Sequence, residues 1–75
     1  MTRLGKKPGA NEIAGLLRRQ INDGILLDKE RLPAERLLAE TYAIARGTVR
    51  VALHLLVKDG ILEIRPGSGA YVKYN

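Results

Sequence analysis

The 75-residue chain has no cysteine, tryptophan or phenylalanine, and only one histidine and one methionine. Without cysteine no disulfide can staple the fold and no thiolate can hold a metal. That absence also suits a reducing cytoplasm, which is the expected location. No apolar run approaches the roughly 18–20 residues of a membrane span. The longest run, Val51 to Val57, is broken by His54. The opening residues, MTRLGKKPGAN, are basic but no apolar segment follows the charges, so they do not read as a secretion signal. There is no internal repeat and no low-complexity tract. A chain of this length makes one small domain and buries only ~60–65% of its unfolded surface, so its core is thin.

What is present is charge of one sign. Thirteen lysines and arginines stand against eight acids, a formal net charge of +5. A basic domain of this size favours an acidic partner, of which nucleic acid is the commonest. Taken alone, the same charge could serve only solubility.

The pattern along the chain divides it into five elements. Residues 1–9, with Gly5, Pro8 and Gly9, read as a mobile basic arm, which leaves 10–75 as the folded domain. Ile13, Leu16, Leu17 and Ile21 follow helical spacing and predict a first helix over about 11–24, with Gly24 as its cap. Pro33 suits the first turn of a second helix over about 33–42, where the charge of Glu35 complements the helix dipole. A very short segment around Ala43–Ala45 leads to a third helix over about 46–58, stopped by Gly60. The period then changes to two. ILEIR and AYVKY flank the turn residues PGSG and predict a hairpin, with Leu62 and Ile64 pointing one way and Glu63 and Arg65 the other. The expected fold is mainly α with a small β-hairpin.

The third helix carries two stripes. Val49, Ala52, Leu53 and Leu56 recur at core spacing, while Arg46, Arg50 and His54 follow at four-residue steps. At about 100° per residue the second stripe drifts by about 40° per step and forms a separate edge. Residues 41–58 contain no acid, so nothing on that helix repels phosphate. Two helices joined by so short a turn fit a helix-turn-helix, whose second helix enters the major groove. Arginine is the side chain best shaped to grip guanine O6 and N7. The competing reading is a solvated basic face, and for PGSG an ordinary turn. Placed after a basic helix, however, a glycine turn can approach a minor groove without a clash.

The segment LPAERLLAETYAIARGTVRVALHLLVKDGILEIRPGSGAYV resembles the winged helix-turn-helix domain of the GntR family of bacterial transcription regulators. The matching positions are Leu32 to Arg36, Leu38 and Ala39, Arg46, Thr48 to Arg50, Ala52 and Leu53, Gly60, Gly67, Gly69 and Val72. They agree with the family pattern in order and spacing across nearly the whole chain after residue 11. The resemblance implies sequence-specific binding of double-stranded DNA. Arg36 is similar to a residue at the DNA backbone or a base, Arg46 and Arg50 to base-reading arginines, Thr48 to a phosphate contact, and Gly67 to a wing tip in the minor groove. With Gly47, His54 and Arg65 these make the candidate DNA-binding set. For Arg36 an intrahelical pair with Glu40 stays open, for Thr48 an ordinary first-turn role, and for His54 a merely exposed position. One departure is Ala45, where the family has Ser or Thr: alanine can neither cap the helix nor bond a phosphate.

The family further implies a near-palindromic operator, a homodimer, and a small-molecule effector bound by a domain after the wing. That domain is absent from this chain, which is expected to be a monomer by itself. No enzyme, cofactor or metal site is expected. His54 has no carboxylate beside it on its helix face, and GSGAYV lacks the third glycine of a dinucleotide fingerprint. RNA reading would want exposed aromatics, yet the three tyrosines lie outside the third helix. A winged helix used only for protein contacts is the remaining alternative. It would present acids or apolar groups where this helix presents arginines.

Overall fold

The computed structural model of the chain describes residues 7–73. The expected arm lies outside the described residues except for Lys7, Pro8 and Gly9, and so does Tyr74 at the end of the hairpin. Three helices and a hairpin follow in order: α1 (Ala10–Asn22), α2 (Glu35–Tyr42), α3 (Arg46–Lys58), β1 (Leu62–Arg65) and β2 (Gly69–Val72). This is the three-helix, two-stranded arrangement of a winged helix-turn-helix.

The helix α1 starts at Gly9, whose N–H donates to the carboxylate of Glu12 (3.2 Å), half of a capping box. Ile13, Ala14, Leu17 and Ile21 form its buried face. Leu16, which fits that stripe by spacing, falls outside it and is 41% exposed. The helix ends two residues before the expected position because Gly24 adopts φ +78°, a left-handed conformation that cannot continue it. Residues 25–30 then turn on themselves: the Leu27 N–H donates to the Glu30 carboxylate (2.8 Å) and the Glu30 N–H to the Leu27 carbonyl (3.0 Å).

The second helix begins at Glu35, not at Pro33. The backbone before it is committed elsewhere. Arg31 bridges Tyr71 in antiparallel fashion, and the Leu32 N–H donates to the Ala70 carbonyl (2.8 Å). The clash of a proline ring with its predecessor favours extended backbone at Leu32, so Pro33 sits in a connector and Ala34 is the N-cap. The link from α2 to α3 is Ala43, Ile44 and Ala45. Ala43 takes φ 55°, ψ 47°, a left-handed conformation that a glycine would adopt at about 1 kcal/mol less cost. Burial of Ile44 offsets that strain, and the Ile44 N–H bonds the Ala39 carbonyl (3.0 Å).

The hairpin pairs Leu62 with Val72, Glu63 with Tyr71, Ile64 with Ala70 and Arg65 with Gly69. Leu62, Ala70 and Val72 join the helical core. Ile64 shares their face by alternation, yet it is 41% exposed, because the hairpin extends past the helices that cover its base. The core is one cluster drawn from all five elements and their connectors, with Ile13, Val49, Ala52 and Leu56 wholly buried at 0% exposure. Beside it, the Arg18 guanidinium pairs with the Asp59 carboxylate and ties α1 to the end of α3.

Ala45 is the N-cap of α3, with extended backbone (φ −70°, ψ 148°) and no side-chain bond to the first turn. It is also exposed, so a hydroxyl fits there without repacking. Ala45→Ser is therefore expected to raise stability by roughly 0.5–1 kcal/mol, read as a higher melting temperature. An unchanged or lower melting temperature would exclude this capping geometry.

Candidate nucleic-acid interface

The helix α3 must satisfy two surfaces at once. Its buried residues, Val49, Ala52, Leu53 and Leu56, occupy one side of the helical wheel. Gly47, Val51, His54 and Lys58 lie close to the opposite direction, with Arg46 and Arg50 on the flank nearer α2. All six are exposed. A shallow hollow of about 460 Å³ opens on this face, lined by Gly47, Arg50, Val51, His54, Leu55 and Lys58.

The front of the helix is unusual electrostatically. Its first turn holds no acid, and Arg46 stands at the positive end of the helix dipole, where a cation is unfavourable. The arrangement costs the isolated helix stability and concentrates positive potential where an anion would meet free N–H groups. Thr48 is half-buried, and its N–H donates to the Ala45 carbonyl (3.0 Å).

Arg50 does not stand free. Its Nη2 lies 3.1 Å from Oε1 of Glu35 and its Nε 3.4 Å from Oε2, a two-point ion pair between the first turn of α2 and the middle of α3. The hydrogen bond from Arg50 holds the Glu35 carboxyl below its ordinary 4.5. Partial burial opposes the shift, and the charges of Arg50, Arg46 and His54 add to it. The same hydrogen bond raises Arg50 above its ordinary value. These dependences bring Arg46, Arg50 and His54 into one electrostatic neighbourhood around Glu35. Arg36, the next residue along, is exposed, and no ion pair with Glu40 forms among the described residues.

The other two candidate residues belong to the wing. Gly67 forms the turn with φ +74° and is open to solvent. Arg65 is engaged: it pairs with Glu63 (3.1 Å) and lies over the Tyr71 ring at 4.1 Å from the centroid. The wing connects to the helices through a small hollow of about 100 Å³ shared by Glu35, Leu53, Ile64 and Gly69, among others.

Two further residues belong to this surface, though the sequence pattern does not single them out. Val51 falls within the apolar run, but its wheel position is that of Gly47 and His54, and it is 53% exposed. An apolar side chain among donors is what a thymine methyl group takes. Glu35 stands out in the sequence as a dipole partner and as part of the family pattern, with no DNA role attached. Its contact with Arg50 spans two elements, and helical spacing within one element carries no signal of it.

With this geometry established, similarity to known proteins is decisive. The profile of the bacterial regulatory proteins of the gntR family matches residues 10–72. The chain belongs to the GntR family. It is 44% identical over 70 residues to the mannosyl-D-glycerate transport/metabolism system repressor MngR of Escherichia coli, covering 93% of this chain and 29% of that protein. It is 41% identical over 69 residues to the transcriptional regulator SmoD of Agrobacterium fabrum, covering 92% and 30%. The chain thus spans less than a third of the length of these relatives. Among solved structures, AraR(DBD) in complex with operator ORX1 superposes with a TM-score of 0.83 at 27% identity, over 95% of this chain and 86% of that one. YtrA from Sulfolobus acidocaldarius, a GntR-family transcription factor, gives 0.83 at 28% identity, over 96% and 76%. The family and these relatives are transcription regulators. Among the described residues no helix is long and apolar enough to cross a membrane.

The lowered Glu35 carboxyl carries a signed consequence. Its pairing favours the fold at neutral pH and is lost as pH falls through the depressed value; with both partners partly exposed, the effect on stability is small. The titration itself is the sharper readout. In Arg50→Ala the Glu35 carboxyl should titrate at higher pH, back toward 4.5, as followed by its side-chain carbonyl resonance. An unaltered titration would show that the pair does not persist in solution.

Proposed function

We propose that this GntR-family domain binds double-stranded DNA sequence-specifically as part of a transcription regulator, with α3 in the major groove and the wing at the adjacent minor groove. The observation that carries the reading is the acid-free exposed face of α3, on which Arg46, Arg50 and His54 converge beside the start of α2. The likeness to AraR(DBD) in complex with its operator supports it. A surface built for protein contacts alone gains nothing from two arginines on the flank of α3 nearer α2 with His54 and Lys58 beside them on the exposed face.

Residue roles follow from position. Arg46 and Arg50 project from the front half of α3 and read base edges. Gly47 lets the helix backbone approach the groove, and Thr48 and Arg36 meet the sugar-phosphate backbone. His54 lies further along the same face and contacts a phosphate or a base. Gly67 approaches the minor groove, with Arg65 beside it. Val51 joins the set as an apolar contact.

The parent regulator acts in the cytoplasm at the nucleoid, as a homodimer on a near-palindromic operator, under control of a small-molecule effector bound by a second domain. The relatives extend far beyond the matched region, which leaves room for such a domain. Two linked half-sites multiply affinity through a high effective concentration, so the 75-residue chain is expected to bind weakly and to sediment as a monomer. A stable dimer of this chain would move the dimer interface into the domain itself.

The decisive measurement is binding to a duplex selected from a random pool and to a scrambled duplex, across a salt series. A good bidentate arginine–guanine pair discriminates by ~1–3 kcal/mol. Arg46→Ala and Arg50→Ala should each lower affinity for the selected duplex and narrow its advantage over the scrambled one. Lys6→Ala and Lys7→Ala should weaken both about equally, reducing the salt slope by about 0.9 for each phosphate that is no longer neutralised. If both arginine variants keep the advantage intact, α3 is not the reading element.

A further inference from the structure

We propose that Glu35 is a specificity-determining positioning residue: it clamps Arg50 side-on, so that the guanidinium presents its remaining donors as a fixed fork to a guanine edge. This rests on the DNA-reading assignment made above.

A guanidinium has five N–H donors in a rigid plane. The clamp uses the Nε–H and one N–H of Nη2, the pair along one side of that plane. One N–H on Nη2 and both on Nη1 remain. The far edge therefore still offers one N–H from each terminal nitrogen, the two-pronged pattern that matches O6 and N7 of guanine. Glu35 thus does not compete with the base. It occupies the edge of Arg50 that the base leaves unused.

Two physical effects then favour the same outcome. A free arginine on a helix surface samples many rotamers and can abandon a base for a nearby phosphate. Held at two points, Arg50 loses that freedom before DNA arrives, so less is lost when the base pair forms. The carboxylate also places a negative charge next to Arg50, which opposes capture of that arginine by phosphate. Clamping strengthens the right contact, and the charge weakens the wrong one.

The ion pair is partly open to solvent, with side chains 56% (Arg50) and 30% (Glu35) exposed. Water screens it in the free protein. A duplex seated on α3 displaces that water and lowers the local dielectric, so the clamp tightens in the complex. Glu35 is well placed for this because the first turn of α2 is anchored: Leu32 is hydrogen-bonded to the wing at Ala70 (2.8 Å), and the Leu38 N–H bonds the Ala34 carbonyl (2.9 Å).

Glu35→Gln tests the proposal, since it keeps the shape and removes the charge. The probes are a duplex selected from a random pool by the wild-type chain and a scrambled duplex of equal length. Affinity for the scrambled duplex is expected to rise, and the selected-to-scrambled ratio to fall at least about fivefold, the lower end of what one bidentate pair discriminates. Glu40→Gln removes the same charge from an exposed position of the same helix and should leave the ratio unchanged. In an Arg50→Ala background, Glu35→Gln should not lower the ratio further, because its effect passes through Arg50. A ratio kept within about twofold in Glu35→Gln overturns the proposal, as does an equal loss with or without Arg50. If the wild type prefers the selected duplex and only the arginine variants lose that preference, the clamp fails while DNA reading stands. A wild type with no preference overturns both.

Discussion

Packing of α1 against α3 is the contact on which the rest of the domain depends. Both helices are 13 residues long, and each gives four residues to the core. Ile13, Leu17 and Ile21 enter from one side, and Val49, Ala52 and Leu56 from the other, at 0–2% exposure. Full burial of a large aliphatic side chain is worth about 1.5–3 kcal/mol, so these few residues dominate the cohesion of a small fold. Ala52 contributes through its size, since a short side chain allows close approach of the helices. Once this face of α3 is fixed inward, the opposite face is fixed outward. The orientation of Arg46, Arg50 and His54 is thus a consequence of where Val49, Ala52, Leu53 and Leu56 go.

The wing depends on a second constraint, which is backbone pairing rather than side-chain burial. The Lys29 N–H donates to the Val72 carbonyl (2.8 Å), the Val72 N–H to the Glu30 carbonyl (2.9 Å), and the Leu32 N–H to the Ala70 carbonyl (2.8 Å). An isolated two-stranded hairpin is marginal in water. Here the segment before α2 acts as a third line of pairing and fixes the base of the hairpin to the helices. Gly69 takes φ +134°, a conformation that residues with a side chain rarely adopt, and a Cβ there would also push the flexible Arg31 side chain, whose Nε lies 2.9 Å away, so the position favours glycine. The turn at Gly67 stays outside this network, leaving a tip that projects while its base is held.

Local signals in the sequence locate every element, and α3 to the residue, because its periodicity, the short turn before it and Gly60 after it agree. What is not legible depends on partners distant in the chain. Pro33 is a good first-turn residue in isolation, but pairing of Arg31 and Leu32 with the wing draws it into a connector. Leu16 and Ile64 match their local stripes, yet both lie at the edge of a core too small to cover them. Of the candidate interface, the arginines are legible from type and spacing. Val51 is legible in principle, since it lies four residues after Gly47, but its apolar character masks its direction. The Glu35–Arg50 contact joins residues 15 positions apart on different helices and needs the fold itself.

The distribution of charge follows the same logic. The ion pairs among the described residues include Arg18–Asp59, Arg50–Glu35 and Arg65–Glu63. The first braces α1 against the end of α3, and the last lies along the hairpin. Exposed pairs of this kind add little to stability, so their value lies in where they hold a guanidinium. In Arg18 and Arg65 pairing fixes the charge within the scaffold. In Arg50 it leaves the far edge of the guanidinium open, on a helix face without an acid of its own. Arg46, earlier on that helix, has no such pair among the described residues and retains its full reach. One arginine is held and one is free on the same acid-free face, so under the proposed DNA reading the first supplies a fixed direction and the second a general attraction.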